Sequence, residues 1–348
     1  VNAYTSFDET VYMLTVPTDS MEVVTTAFQI LQDWAQGVSF EAEEIDKERG
    51  VVIEEWRLGR GADQRMFDEQ LPVILHASRY ADRLPIGTVA NLESFGHDTL
   101  RAFYQRWYRP DLMSVIAVGD LEPDVVDSLV RAHFADLRAP AESADRTYYP
   151  VPDHAETLFA IATDPEATGN SVSIYYKQDV RPDSTVDAYR RSMMESLYHG
   201  MFNRRLFELT RTANPAFLAA GSGQGRWLRT KEFYSLGARV QNNGFARGLE
   251  ALLTEATRVR RHGFTGTELA RQKKQILRSM EQVYRERDKT QSARFASEYV
   301  RHVLEGEQIP GIERELELHK QLLPTISLAD VNALARQSTR TDNRVITV

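Results

Sequence analysis

The sequence predicts an α+β fold of two similar domains, each an antiparallel-rich sheet with helices packed on one face. Three observations predict it. Strand-like runs come in adjacent pairs and helical runs in groups, which is the pattern of antiparallel sheets rather than of alternating βαβ units. The 348 residues are long enough for two cores. The pattern also restarts after residues 139–153, a stretch with Pro140, Pro150 and Pro152 that reads as a linker. The first domain is therefore placed at residues 1–142 and the second at 150–348.

Residues 2–16 are rich in Thr, Tyr and Val and alternate, which predicts a strand or strand pair. After Pro17, an amphipathic helix carries Val23, Val24, Ala27, Ile30, Leu31 and Trp34 on one side and is closed by Gly37. Ser39 is expected to cap a second helix, with Glu41, Glu43 and Glu44 in its first turn. Further helices are expected near 64–77, over 98–108 and over 123–134. The run Leu112–Val118 reads as a buried strand ended by Gly119-Asp120. Beyond the linker, strands are expected at 157–163, 171–177, 216–223, 232–241 and 344–348. Helices are expected at 184–211, 244–262, 266–304 and 328–337. The halves echo each other. Asp98-Thr99-Leu100 opens a helix leading into 112–118, and Asp330 to Ala335 does the same ahead of 344–348, a weak sign of a duplicated unit.

Composition narrows the function classes. Apolar residues make up 42% and charged residues 26%, an ordinary globular balance. The net charge of −8 and the lack of a dense Lys/Arg block argue against nucleic acid as a partner. No apolar run reaches the ~20 residues of a membrane span. The absence of cysteine excludes disulfides, thiolate metal sites and a cysteine nucleophile. Both ends open or close inside strand-like patterns, so the chain reads as cut from something longer.

Chemistry concentrates on the second helix. Glu48 and Glu55 are seven residues apart, so about 700° of rotation puts them on one stripe, about 10.5 Å apart. Ile45, Val52 and Trp56 form a neighbouring apolar stripe, which places both carboxylates at the edge of a buried face, where each needs a cation or donors. The separation is too long for both to ligate one metal. At that distance one can ligate while the other orients a ligand or substrate group. The same spacing also fits a solvated acidic helix with Glu–Lys and Glu–Arg pairs.

Three stretches resemble the pitrilysin/insulinase family of zinc metallopeptidases, which includes the mitochondrial processing peptidases. Asn2 to Tyr12 is similar to that family's edge strand, and Glu48-Arg49-Gly50-Val51-Val52-Ile53-Glu54-Glu55 to its downstream glutamate helix. Leu84-Pro85-Ile86-Gly87-Thr88, with Phe103 to Ser114 and Val118-Gly119-Asp120, is similar to the close of its first domain. The likeness is strong over 1–138 and looser over 150–348.

The resemblance implies a zinc-assisted hydrolase of peptides or unfolded polypeptides. By register, Glu55 matches the third protein ligand of the zinc and Glu48 the supporting acid of the catalytic centre. Asn2, Ala3, Tyr4 and Thr5 match the strand that pairs with an extended substrate backbone. In that family an upstream His-x-x-Glu-His supplies two zinc histidines and the general base. The eight histidines here are His76, His97, His133, His154, His199, His262, His302 and His319, and none sits in that motif. The motif is expected shortly before Val1. This chain by itself is therefore expected to hold no zinc and to be inactive, either as a piece of an active parent or because the parent's motif is degenerate. In the second case the protein is a non-catalytic family member acting as a binding or scaffold subunit.

Family members that complete the site from a second domain use an Arg and a Tyr seven residues apart. Here Arg211 matches the Arg, but Leu218 stands where the Tyr belongs. A second homologous half, in the same longer chain or in a partner subunit, is expected to supply the pair. An exported, periplasmic location is expected from the bacterial relatives of this size class. Gly221-Ser222-Gly223-Gln224-Gly225 lacks a following Lys-Ser/Thr and reads as a flexible turn. Tyr104, Trp107 and Tyr108 read as packing aromatics, and His97 as a neighbour of a helix cap.

Overall fold

The computed structural model describes residues 2–139, 144–337 and 339–348. The linker residues 140–143 lie outside the described residues. In chain order the strands and α-helices are β1 (Asn2–Thr5), β2 (Thr10–Met13), α1 (Met21–Gln32), α2 (Ala42–Leu58), α3 (Ala62–Ile74), α4 (Val89–Ser94), α5 (His97–Trp107), α6 (Pro123–Phe134), β3 (Leu158–Ala160), β4 (Asn170–Asp179), α7 (Val186–Leu209), β5 (Ala219–Leu228), β6 (Lys231–Val240), α8 (Phe245–His262), α9 (Gly266–Arg285), α10 (Ser292–Glu305), α11 (Ile312–Leu322), α12 (Leu328–Gln337) and β7 (Arg344–Thr347). The fold is α+β, and the chain divides into two compact units. One comprises residues 1–60, 83–148 and 291–305, and the other 61–82, 149–290 and 306–348. Relative to the expected bounds of 1–142 and 150–348, α3 sits with the later unit and α10 with the earlier one.

The later unit is built on a five-stranded sheet in the order β3-β7-β4-β6-β5. β4 pairs with β6 over its whole length, from Asn170↔Val240 to Asp179↔Lys231, and β5 continues the antiparallel ladder on β6. β7 lies between β4, antiparallel, and β3, parallel. Side chains alternate across each strand. Val172, Ile174 and Tyr176 of β4 join Tyr234, Leu236 and Ala238 of β6 in a core with Leu197, Met201 and Phe202 of α7. Lys177, Phe233 and Val345 point the other way and are also buried. α3 packs along β3 and β7.

The glycines of residues 221–225 lie inside β5 rather than in a turn. Gly221, Gly223 and Gly225 are in register with Gly237, Ser235 and Phe233 of β6, so an in-register neighbour overrides glycine's weak strand preference. The helix expected over 266–304 is broken between Arg285 and Ser292 by a 3-10 turn at Arg287–Lys289. Helices α4 and α11 are additional to those the sequence pattern indicates.

The earlier unit has a hairpin of β1 and β2, paired from Asn2↔Met13 to Thr5↔Thr10. The expected strand over 112–118 forms no ladder. After a 3-10 turn at Pro110–Leu112, residues 113–118 are extended but unpaired, with Leu112 and Val115 exposed. A strand exists only beside another strand. Its counterpart β7 finds β3 and β4, whereas the strands described in the earlier unit pair with each other. Ser39 is not the cap of α2, which starts at Ala42 with Glu41 in the capping position and no side-chain cap bond.

Aromatic packing holds the hairpin. The Tyr12 hydroxyl lies 2.5 Å from that of Tyr108. The Tyr12 ring packs on Trp34 with centroids 5.3 Å apart, and Tyr104 packs on Tyr108 at 4.4 Å. The Tyr104 hydroxyl donates to the Trp34 carbonyl. Burial raises the Tyr108 phenol far above its ordinary value, and the Tyr12 hydroxyl adds to the shift.

Candidate functional site

α2 is a 17-residue helix that packs its Ile45 stripe inward and leaves most of its surface in solvent. Two side chains fix it against the segment around α4. The Arg49 guanidinium donates to the Leu92 carbonyl and, at 2.9 Å, to the Phe95 carbonyl, and lies over the Phe95 ring at 4.1 Å. Asp46 accepts from His97 Nε2 at 2.8 Å, and this contact, foremost, holds its carboxyl below the usual range. His97 is thus an anchor of α2 rather than only a neighbour of a helix cap.

The acids of α2 then fall into two groups. Glu43 and Glu44 pair with Lys47, Asp46 with Arg49 and His97, and Glu54 with Arg57. Glu48 and Glu55 are exposed, and among the described residues neither side chain has a hydrogen-bond or ion-pair partner. The expectation that both sit at the edge of a buried face is corrected here. Val52 and Trp56 are only half-buried, with Arg60 lying over the Trp56 ring at 4.5 Å. The two carboxylates share one side of a straight helix, about 10.5 Å apart along its axis, and both are open to a cation.

The donor set decides what α2 can hold. A zinc ion takes about four ligands, with His or Cys prominent among them. Among the described residues no group of three or more His, Cys, Asp or Glu is arranged to hold a metal ion. A carboxylate such as that of Glu55 can give a zinc one oxygen ligand.

The sequence-predicted substrate strand, Asn2–Thr5, is exposed along its length. It belongs to a two-stranded sheet, so one of its edges carries no ladder partner among the described residues. Burial raises the Tyr4 phenol, with Glu9 and Glu305 adding to the effect. Arg211 lies in the turn after α7, and Leu218 is 56% exposed just before β5.

Sequence reasoning missed a neighbouring arginine. Arg205 makes a two-pronged ion pair with Glu268, at 2.6 and 2.9 Å, and reaches buried Glu255 at 3.3 Å. Two glutamates at separations of 50 and 63 residues carry no local signal of that pairing.

The family model described as insulinase (peptidase family M16) matches residues 1–84, and that described as peptidase M16 inactive domain matches residues 94–276. A zinc protease PQQL-like protein of Arabidopsis thaliana is 37% identical over 334 residues, covering 95% of this chain and 32% of the relative. The probable zinc protease PqqL of Escherichia coli is 30% identical over 271 residues, covering 77% of this chain and 29% of the relative. The chain thus spans about a third of the length of these relatives. The crystal structure of the first half of the periplasmic protease PqqL from Escherichia coli superposes with a TM-score of 0.91 at 25% identity, covering 99% of this chain and 74% of that one.

Proposed function

The chain belongs to the insulinase family, peptidase family M16, and from that membership we propose that it is part of a larger zinc metalloendopeptidase acting on peptides or unfolded polypeptides. The carrying observation is the pair Glu48 and Glu55, the acids left unpaired and open on a helix whose other acids are matched with cations. In this reading Glu55 gives one carboxylate oxygen to the zinc, and Glu48 steadies the site from two turns away. The free edge of Asn2–Thr5 adds an extended substrate as a further strand, selecting chain shape more than sequence. A zinc held there would supply Lewis-acid activation of the scissile carbonyl and of a water. The remaining ligands and the general base come from outside these residues.

A second homologous half, in cis or in trans, completes the enzyme. The likeness to the first half of a longer protease, and the chain's one-third share of its relatives' length, support this. A location outside the cytosol belongs to the same proposal, supported by the periplasmic neighbour. The chain alone is proposed to be inactive.

The test uses the longer polypeptide that contains this chain, with a quenched fluorescent peptide as substrate. Zinc-dependent hydrolysis is expected, abolished by Glu55→Gln and retained in Glu54→Gln. No hydrolysis by the unaltered longer polypeptide would overturn the reading in favour of a non-catalytic scaffold subunit.

A further inference from the structure

The exposed face of α9 gathers four cations on one side of a single helix. Several surface cations on other helices are matched with acids three or four residues away, as in Lys47–Glu43, Arg57–Glu54, Arg101–Asp98, Arg131–Asp127, Arg204–Glu208 and Arg314–Glu317. On α9, Arg271, Lys274, Arg278 and Arg285 are all exposed, and among the described residues none has an ion-pair or hydrogen-bond partner. The one acid lining the same face is Glu281.

These four cations fall at i, i+3, i+7 and i+14. That spacing keeps them on one side of the helix over about 21 Å. They share this open face of the helix with Gln275 and Gln282. The opposite side of α9 is occupied by its packing against α7 and α11. Lys273, on that side, is consumed by the carbonyl of Ile326. The four cations are therefore not part of the internal bonding of the unit. They sit as a stripe on a chain of net charge −8.

We propose that this face of α9 is a docking surface for an acidic polypeptide segment. The first three cations are about 4.5 and 6 Å apart along the axis, which matches the rise between carboxylates three or four residues apart on an acidic helix. The glutamine amides supply neutral donors for carboxylates that fall between the cations. Nucleic acid fits less well. Among the described residues no aromatic side chain lines this face to stack a base. The surface lies away from the Glu48–Glu55 helix in sequence and does not depend on metal, so it stands apart from the hydrolytic reading.

The experiment is fluorescence anisotropy with the 348-residue chain and a labelled peptide of about 15 glutamates, long enough to span the stripe as a helix. Saturable binding at low salt is expected, weakening as ionic strength rises. The triple variant Arg271→Glu, Lys274→Glu, Arg278→Glu is expected to bind about tenfold or more weakly. The triple variant Lys47→Glu, Arg131→Glu, Arg314→Glu changes net charge equally and is expected to bind within about twofold of the unaltered chain. If charge reversal unfolds α9, as circular dichroism would show, the Arg271→Gln, Lys274→Gln, Arg278→Gln variant replaces it and is expected to lose affinity in the same direction. Absence of saturable binding, equal losses in both triple variants, or tighter binding of a single-stranded oligonucleotide of equal charge would each overturn the proposal.

Discussion

Replacing Arg205 with methionine removes the cation that ties α7 to α8 and α9. The side chain is 17% exposed, and its partners Glu255 and Glu268 are 4% and 16% exposed. Besides its two glutamates, it donates to the Gly263 carbonyl at 3.2 Å and lies over the Phe264 ring at 5.0 Å. Methionine preserves the packing of the stem but leaves two acids short of a cation. Breaking a buried ion pair by removing one partner costs about 3–5 kcal/mol. Here the loss is cushioned, because Glu255 keeps Arg258 at 2.8 Å and Glu268 keeps its capping bonds to Thr265. A loss of about 2–4 kcal/mol is therefore expected from urea unfolding.

The pH dependence gives a second check on the same residue. Arg205, followed by the Thr265 bonds, lowers the Glu268 carboxyl to about 2. A depressed carboxylate stabilises the fold above its unfolded value and loses that contribution as pH falls through the folded one. The gap between the unaltered chain and Arg205→Met should therefore be full at neutral pH and shrink between about pH 5 and pH 2. A variant within about 0.5 kcal/mol of the unaltered chain at pH 7, or a gap that does not change with pH, would refute the reasoning.

Three further outcomes are expected. Gly263 has φ +71° and ψ −170°, and a Cβ there would meet Asn332 at 2.5 Å, so Gly263→Ala should cost about 2–4 kcal/mol in urea unfolding. Lys177 is fully buried, its amine has no partner among the described residues, and burial lowers its pKa to about 8. Lys177→Met should raise stability at pH 7 by about 1–3 kcal/mol, and it should remove the gain that the unaltered chain shows as pH rises from about 8 toward the ordinary lysine value of about 10.4. Glu48→Gln and Glu55→Gln, both at open positions, should each leave thermal unfolding within about 0.5 kcal/mol of the unaltered chain, which separates a functional role from a structural one.

Much of this was legible because local rules and tertiary packing agree. The Thr- and Tyr-rich hairpin, α6 at residues 123–134 and the long α7 all follow periodicity into the structure. The failures have particular causes. Residues 112–118 carry strand chemistry, but a ladder needs a neighbour, and strand propensity cannot report whether one is present. Gly221 to Gly225 carry turn chemistry, but β6 pairs them into an edge strand. The carboxylate helix was found by spacing and resemblance. That Glu48 and Glu55 are its unpaired acids became visible only with Arg49, Arg57 and His97 in place. Arg205 and Lys177 escaped notice because long-range burial creates their importance.

The central claim is that Glu55 is one ligand of a zinc whose other ligands lie outside these residues. Zinc stoichiometry after gel filtration tests it most directly, measured on this chain and on the longer polypeptide with and without Glu55→Gln. The account predicts far less than one zinc on the chain alone, one on the longer polypeptide, and its loss in the variant. A tightly held stoichiometric zinc on the chain alone, or full retention by Glu55→Gln, would contradict it.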